Sequence, residues 1–166
     1  MPEKETLERA AEDRREGKAA STQAGEFVRE EMHHVREGKH GARSTKQAIA
    51  IGLSKARRAG VKLKPPKGGK AKTRRAAERA YRKGQSGSKT VSRRRSRATE
   101  GALKREGRSA ASRKSLARQA RSSARSRSAS SRHQAAMKAV RTKGKVGLKK
   151  AARKAARTRQ QERKAA

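Results

Sequence analysis

Over 166 residues the chain carries 50 Lys and Arg against 14 Asp and Glu, a formal charge of +36, with one Phe, one Tyr, no Trp and no Cys. The missing cysteines exclude disulfides, thiolate metal sites and a cysteine nucleophile. No run reaches the ~18 apolar residues of a membrane span. High charge with few large apolar side chains leaves little burial to offset chain entropy, so only part of the chain is expected to form a domain. Residues 1–37 hold ten acids and seven bases, whereas residues 38–166 hold four acids and forty-three bases. A nearly balanced head therefore precedes a polycationic remainder. The acid-rich N-terminus has no hydrophobic stretch, which predicts an intracellular protein without a secretory signal.

Residues 3–16 predict a short charged helix with Glu5 and Arg9 in i,i+4 spacing, a pair worth about 0.2–0.5 kcal/mol and too little to hold it alone. Residues 22–37 predict a firmer helix. Val28, Met32 and Val35 recur on one face with Ala24, Phe27 flanks them, and Gly38 stops the helix. Glu26, Glu30 and Glu31 give it negative charge that can face Lys55 or Arg58.

The stretch 45–59 is the clearest element. Ser44 and Gln47 stand in capping-box spacing, and Lys55, Arg57 and Arg58 crowd the last turn, where positive charge suits the helix dipole. Gly60 and Pro65-Pro66 end it. Its stripe of Ala48, Ile49, Gly52, Leu53, Ala56 and Ala59 is built mainly from small side chains, so a second helix can come close with Gly52 at the contact. Ile51 lies off this stripe, either partly exposed or at a contact with a second copy. Joined through residues 38–44, the two helices predict an antiparallel hairpin. So small a unit is marginal. It is expected to dimerise, to firm up on a ligand, or to borrow the first helix.

Pro65, Pro66, Gly68 and Gly69 mark residues 64–70 as a linker after a head of residues 1–63. Beyond lies a low-complexity Lys/Arg/Ala/Ser tail, 71–166. Its composition is helix-permissive over 71–83, 110–121, 132–142 and 147–164. Dense like charge and no apolar face predict disorder until a polyanion binds. The expected fold class is thus mainly α, a small helical hairpin head with a long basic tail that is disordered or helix-permissive.

Phosphate binding is the dominant chemical signal, because a chain that neutralises phosphates gains the entropy of the released counterions. The candidate contacts in the head are Lys39, Arg43 and Lys46 around the start of the 45–59 helix, with Lys55, Arg57, Arg58, Lys62 and Lys64 at its end. Those in the tail are Arg93, Arg94, Arg95, Arg121, Arg125, Arg127, Lys149, Lys150, Arg153, Lys154 and Arg157. Phe27 and Tyr81 alone make no stacking platform for single strands. The seven-residue connection is longer than that of a DNA-reading helix–turn–helix. His33, His34 and His40 read as surface histidines, since no Cys and no acidic pair in ligand spacing accompanies them. No metal, cofactor or catalytic constellation is expected, and the serines lack a neighbouring base.

The block EFVREEMHHVREGKHGARSTKQAIAIGLSKARRAG, residues 26–60, resembles a bacterial domain family of unknown function carried by short basic proteins, most distinctively over residues 46–60. The tail is similar in composition to the tails of linker-histone-like bacterial proteins. The resemblance implies a small helical unit and a bacterial source, and no mechanism. The functional expectation is a histone-like, nucleoid-associated protein of the bacterial cytoplasm that binds duplex DNA without sequence preference. It has no membrane partner, and a homodimer through the head is open. An RNA-binding or ribosome-associated protein is the first alternative. A protein-interaction head tethered to nucleic acid by its tail is the second.

Overall fold

Helix boundaries follow the punctuation of the sequence through the first sixty residues. The computed structural model describes residues 2–87 and 92–164, and every regular element among them is helical. These are α1 (Lys4–Arg15), α2 (Ala20–Glu37), α3 (Thr45–Arg58), α4 (Ala71–Gln85), α5 (Arg93–Lys104), a 3-10 turn (Ser109–Ala111), α6 (Arg113–Arg125) and α7 (Ala129–Lys164). None of the described helices is long and apolar enough to cross a membrane. The chain divides into two units, Met1–Gln119 and Ala120–Ala166.

In the first unit α2 and α3 form the expected hairpin. Gly38 closes α2 in the left-handed region at φ 80°, where a side chain would be strained. The Ser44 hydroxyl accepts the Gln47 N–H at 3.2 Å. The Gln47 side chain reaches back to the Arg43 N–H at 3.0 Å, one residue earlier than a capping box requires. Gly52 is the point of closest approach. A Cβ there would lie 2.7 Å from Val28 Cα, so the small-residue stripe does let two backbones meet.

Two apolar clusters fill the hairpin. Phe27, Ala24, Ala56 and Val61 join Ala10 of α1 at one end, and Met32, Val35, Ala42 and Ala48 join Ala110 and Ala111 at the other. The hairpin thus borrows α1, as its marginal core required. It also takes up segments assigned above to the tail. Ala77 and Ala80 of α4 are buried, and α4 packs on α3. Gly84 lies so close to α3 that a Cβ would run into the Arg57 carbonyl.

Residues 103–111 form a strap over the loop between α2 and α3. The Gly41 N–H donates to the Leu103 carbonyl at 2.9 Å and the Ala42 N–H to the Gly107 carbonyl at 3.0 Å. The Thr45 hydroxyl donates to the Ala110 carbonyl at 2.6 Å and Arg36 to the Ala111 carbonyl at 2.9 Å. Packing therefore continues to residue 119 rather than ending near residue 63.

The second unit contains α7, which Gly144 interrupts with φ 62° and ψ 175°, so that two helical stretches abut there. Of the two expectations for the tail, disordered or helix-permissive, the described residues follow the second. Alanine, arginine and lysine have high intrinsic helix propensity, and the tail segments are helical.

Candidate nucleic-acid interface

The candidate cations separate into two groups by what their heads meet. Lys55 sits between α3 and α2, with Nζ 3.1 Å from Glu30 Oε1 and 2.8 Å from Glu31 Oε2. Arg57 is buried and donates through Nε to the Leu63 carbonyl at 3.1 Å. Burial pulls its guanidinium below the usual arginine range. Neither presents its charge to an outside phosphate. They lie on different sides of α3, about 200° apart. Lys55 turns to α2 and Arg57 to the segment that follows α3, so both charges are engaged within the fold.

Lys39 is half committed, pairing with Glu3 at 2.9 Å and Glu37 at 3.2 Å. Hydrogen bonds from Lys39 and then His34 hold the Glu3 carboxyl down at about 2. Those carboxylates in turn raise the Lys39 ammonium. Burial by itself would raise the Glu30 carboxyl. The Glu3 N–H, the Thr6 hydroxyl and Lys55 outweigh it and leave Glu30 lowered. This polar layer ties α1, α2 and α3 together.

The other candidates are exposed: Arg43, Lys46, Arg58, Lys62 and Lys64 in the hairpin, Arg93, Arg94 and Arg95 on α5, Arg121 and Arg125 on α6, and Arg127 just beyond it. Lys149, Lys150, Arg153, Lys154 and Arg157 are exposed on α7. Their spacing of i, i+1, i+4, i+5 and i+8 gathers them into an arc of roughly 140° on one helix face. Alanines 151, 152, 155 and 156 take the remaining arc.

One cationic site escaped the sequence reading. Against the Pro65-Pro66 wall, Lys67 and α4 residues Arg74, Arg75, Arg79 and Arg82 line a groove of about 480 Å³ in which Glu78 is the one acid. The signal that could have found it is the same i, i+1, i+5, i+8 spacing.

The helix starts carry a further clue. None of α4, α5, α6 or α7 has an acid in its first turn, and α5 opens on three consecutive arginines. Cations at a helix N-terminus oppose the dipole, and an anion bound there removes the penalty.

Residues 5–68 match a family described as a family of unknown function (DUF6496). The chain thus carries one such domain, which takes in α2, α3 and nearly all of α1 and extends beyond the block 26–60 at both ends. No curated protein and no solved structure matches the chain.

Proposed function

We propose that this chain binds the phosphate backbone of nucleic acid, duplex DNA foremost, without reading sequence. The observation that carries the reading is the distribution of charge. Residues 38–166 hold forty-three bases against four acids. A surface that only needs solubility mixes the two signs. The exposed cations of α5, α6 and α7 offer many simultaneous phosphate contacts, and the acid-free helix starts favour an anionic partner. Phe27 is buried in the hairpin core, which leaves Tyr81 without a second ring for base stacking. In a bacterial cell the corresponding role is histone-like and nucleoid-associated.

A salt titration of the full-length protein on duplex DNA, single-stranded DNA and structured RNA of equal length tests this. On the duplex, log K is expected to fall against log salt with a slope of about −5 or steeper. Single strands should give a shallower slope. A flat salt response refutes phosphate neutralisation. Stronger binding to structured RNA than to duplex at matched charge moves the protein to RNA.

A further inference from the structure

A second chemistry lies inside the hairpin, on residues that the phosphate reading does not use. Glu31 and His34 lie three residues apart on α2 and so share a face. The left-handed turn at Gly38 brings His40 back beside them. The two imidazoles stand edge to face, centroids 6.0 Å apart. One ligand atom from each of Glu31, His34 and His40 lies within 4.8 Å of the other two. Glu31 is 0% exposed and His34 9%, so this is an interior cluster. His34 is not the surface histidine expected from the sequence, whereas His33 is exposed.

The hydrogen bonds around the cluster fix where its lone pairs point. His40 Nδ1 lies 3.1 Å from the Gly41 carbonyl. A carbonyl only accepts, so Nδ1 carries the proton and the Nε2 lone pair faces the cluster. By the same argument His34 Nε2, 2.8 Å from Glu3 Oε1, donates to that carboxylate and leaves Nδ1 with the lone pair. A carboxylate on one ring and a carbonyl on the other are the outer partners that orient metal-ligating histidines.

Glu31 supplies the independent sign. It is fully buried. Lys55 Nζ pairs with Oε2 at 2.8 Å, but Oε1 accepts no hydrogen bond. A buried carboxylate oxygen is costly to keep in that state unless something occupies it. Oε1 faces His40 Nε2 at 3.3 Å without hydrogen-bond geometry. A charge-assisted hydrogen bond would draw such a pair to about 2.7–2.9 Å. By contrast, about 3.3 Å is the ligand-to-ligand separation of a tetrahedral site with bonds of ~2.0–2.1 Å.

We propose that Glu31 Oε1, His34 Nδ1 and His40 Nε2 bind one divalent ion of the zinc class, with water completing the tetrahedron. Two imidazoles and a carboxylate suit Zn²⁺, Co²⁺ or Ni²⁺ and leave Mg²⁺ and Ca²⁺ poorly served. Charge agrees with a cation here. Glu3, Glu30 and Glu31 converge on the cluster, and Lys39 and Lys55 pair with them. All three ligands fall within the matched domain, residues 5–68, so the site belongs to the domain and not to the cationic tail.

The test uses full-length protein, nuclease-treated, purified at high salt and stripped with a chelator, so that bound nucleic acid carries no metal. Zn²⁺ is titrated against a chromogenic competitor, and Co²⁺ is added separately to read the intense visible bands of a tetrahedral site. One ion per chain is expected. His40→Ala and His34→Ala should each weaken uptake by about 100-fold or more, and Glu3→Gln, acting through His34, by about 10–100-fold. His33→Ala and His133→Ala should leave it unchanged. Circular dichroism of each variant separates a lost ligand from a lost fold, and His40, in the loop, is the residue least needed by the helices. No zinc uptake by the parent protein overturns the proposal. So does uptake that His40→Ala and His34→Ala leave intact.

Discussion

Two helices of this chain are written in nearly the same letters. Residues 74–82 of α4 read Arg-Arg-Ala-Ala-Glu-Arg-Ala-Tyr-Arg, and residues 149–157 of α7 read Lys-Lys-Ala-Ala-Arg-Lys-Ala-Ala-Arg. In α4 the alanine face is covered, with Ala77 and Ala80 buried. The corresponding Ala152 and Ala155 of α7 are exposed. A second difference sits at the fifth position. Glu78 of α4 accepts a hydrogen bond from Arg82 at 2.9 Å, whereas α7 has Arg153 there, which adds repulsion. α4 therefore balances part of its own charge and is held by apolar contact. Residues 149–157 of α7 have neither support, so their helix rests on intrinsic propensity. The same basic pattern is partly structural in one place and free for a ligand in the other.

The largest expected effect comes from removing the charge that α7 leaves uncompensated. Replacing Lys149, Lys150, Arg153, Lys154 and Arg157 by glutamine should make the slope of log K against log salt shallower by about 4–5 for duplex DNA. Binding titrations between low and moderate salt measure it, and an unchanged slope would remove α7 from the interface. Stability sharpens the same contrast. Ala80→Gln overfills the contact between α3 and α4 and should cost about 1–3 kcal/mol in urea unfolding. Ala155→Gln, at the equivalent exposed position of α7, should stay within about 0.5 kcal/mol. Equal costs would mean that the alanine face of α7 is covered as well. Gly52→Ala should fall in the range of Ala80→Gln, about 1–3 kcal/mol, because its new methyl meets Val28 Cα and the Phe27 carbonyl, backbone atoms that cannot swing aside, as well as the Val28 side chain.

The contrast also explains which parts of the fold were legible beforehand. α2 and α3 announce themselves through a glycine stop, the Ser44 cap and 3.6-residue stripes of Val, Met, Ile and Leu, while α1 shows only its charge pairing, all local signals. α4 and the strap at 103–111 do not. Their contacts run through alanine methyls, Gly41, Gly84 and backbone carbonyls, which leave no apolar period in the sequence. The charges were legible in number but not in direction. Lys55 and Arg57 look like phosphate ligands in one dimension, yet Lys55 is taken up by Glu30 and Glu31, and Arg57 by the Leu63 carbonyl. The histidine cluster was hidden for a related reason. Glu31 and His34 share a face only because α2 is a helix, and His40 joins them only through the turn at Gly38.

The smallest effect tests the part of the hairpin where local and tertiary structure meet. Ser44 caps α3 through its hydroxyl, and the next residue, Thr45, is tied through its own hydroxyl to Ala110 of the strap. If the start of α3 rests on local capping, Ser44→Ala should cost about 1 kcal/mol. If the strap holds that turn by itself, the loss should shrink to a few tenths, because the freed Gln47 N–H can turn to water at this exposed position. The companion Thr45→Val then matters more. It leaves the buried Ala110 carbonyl without its donor, at a cost of about 1–3 kcal/mol. Urea denaturation of the two single variants and the double variant decides between these. Additive losses mean that cap and strap act independently, and a double variant less destabilised than the sum means that each stabilises the same turn.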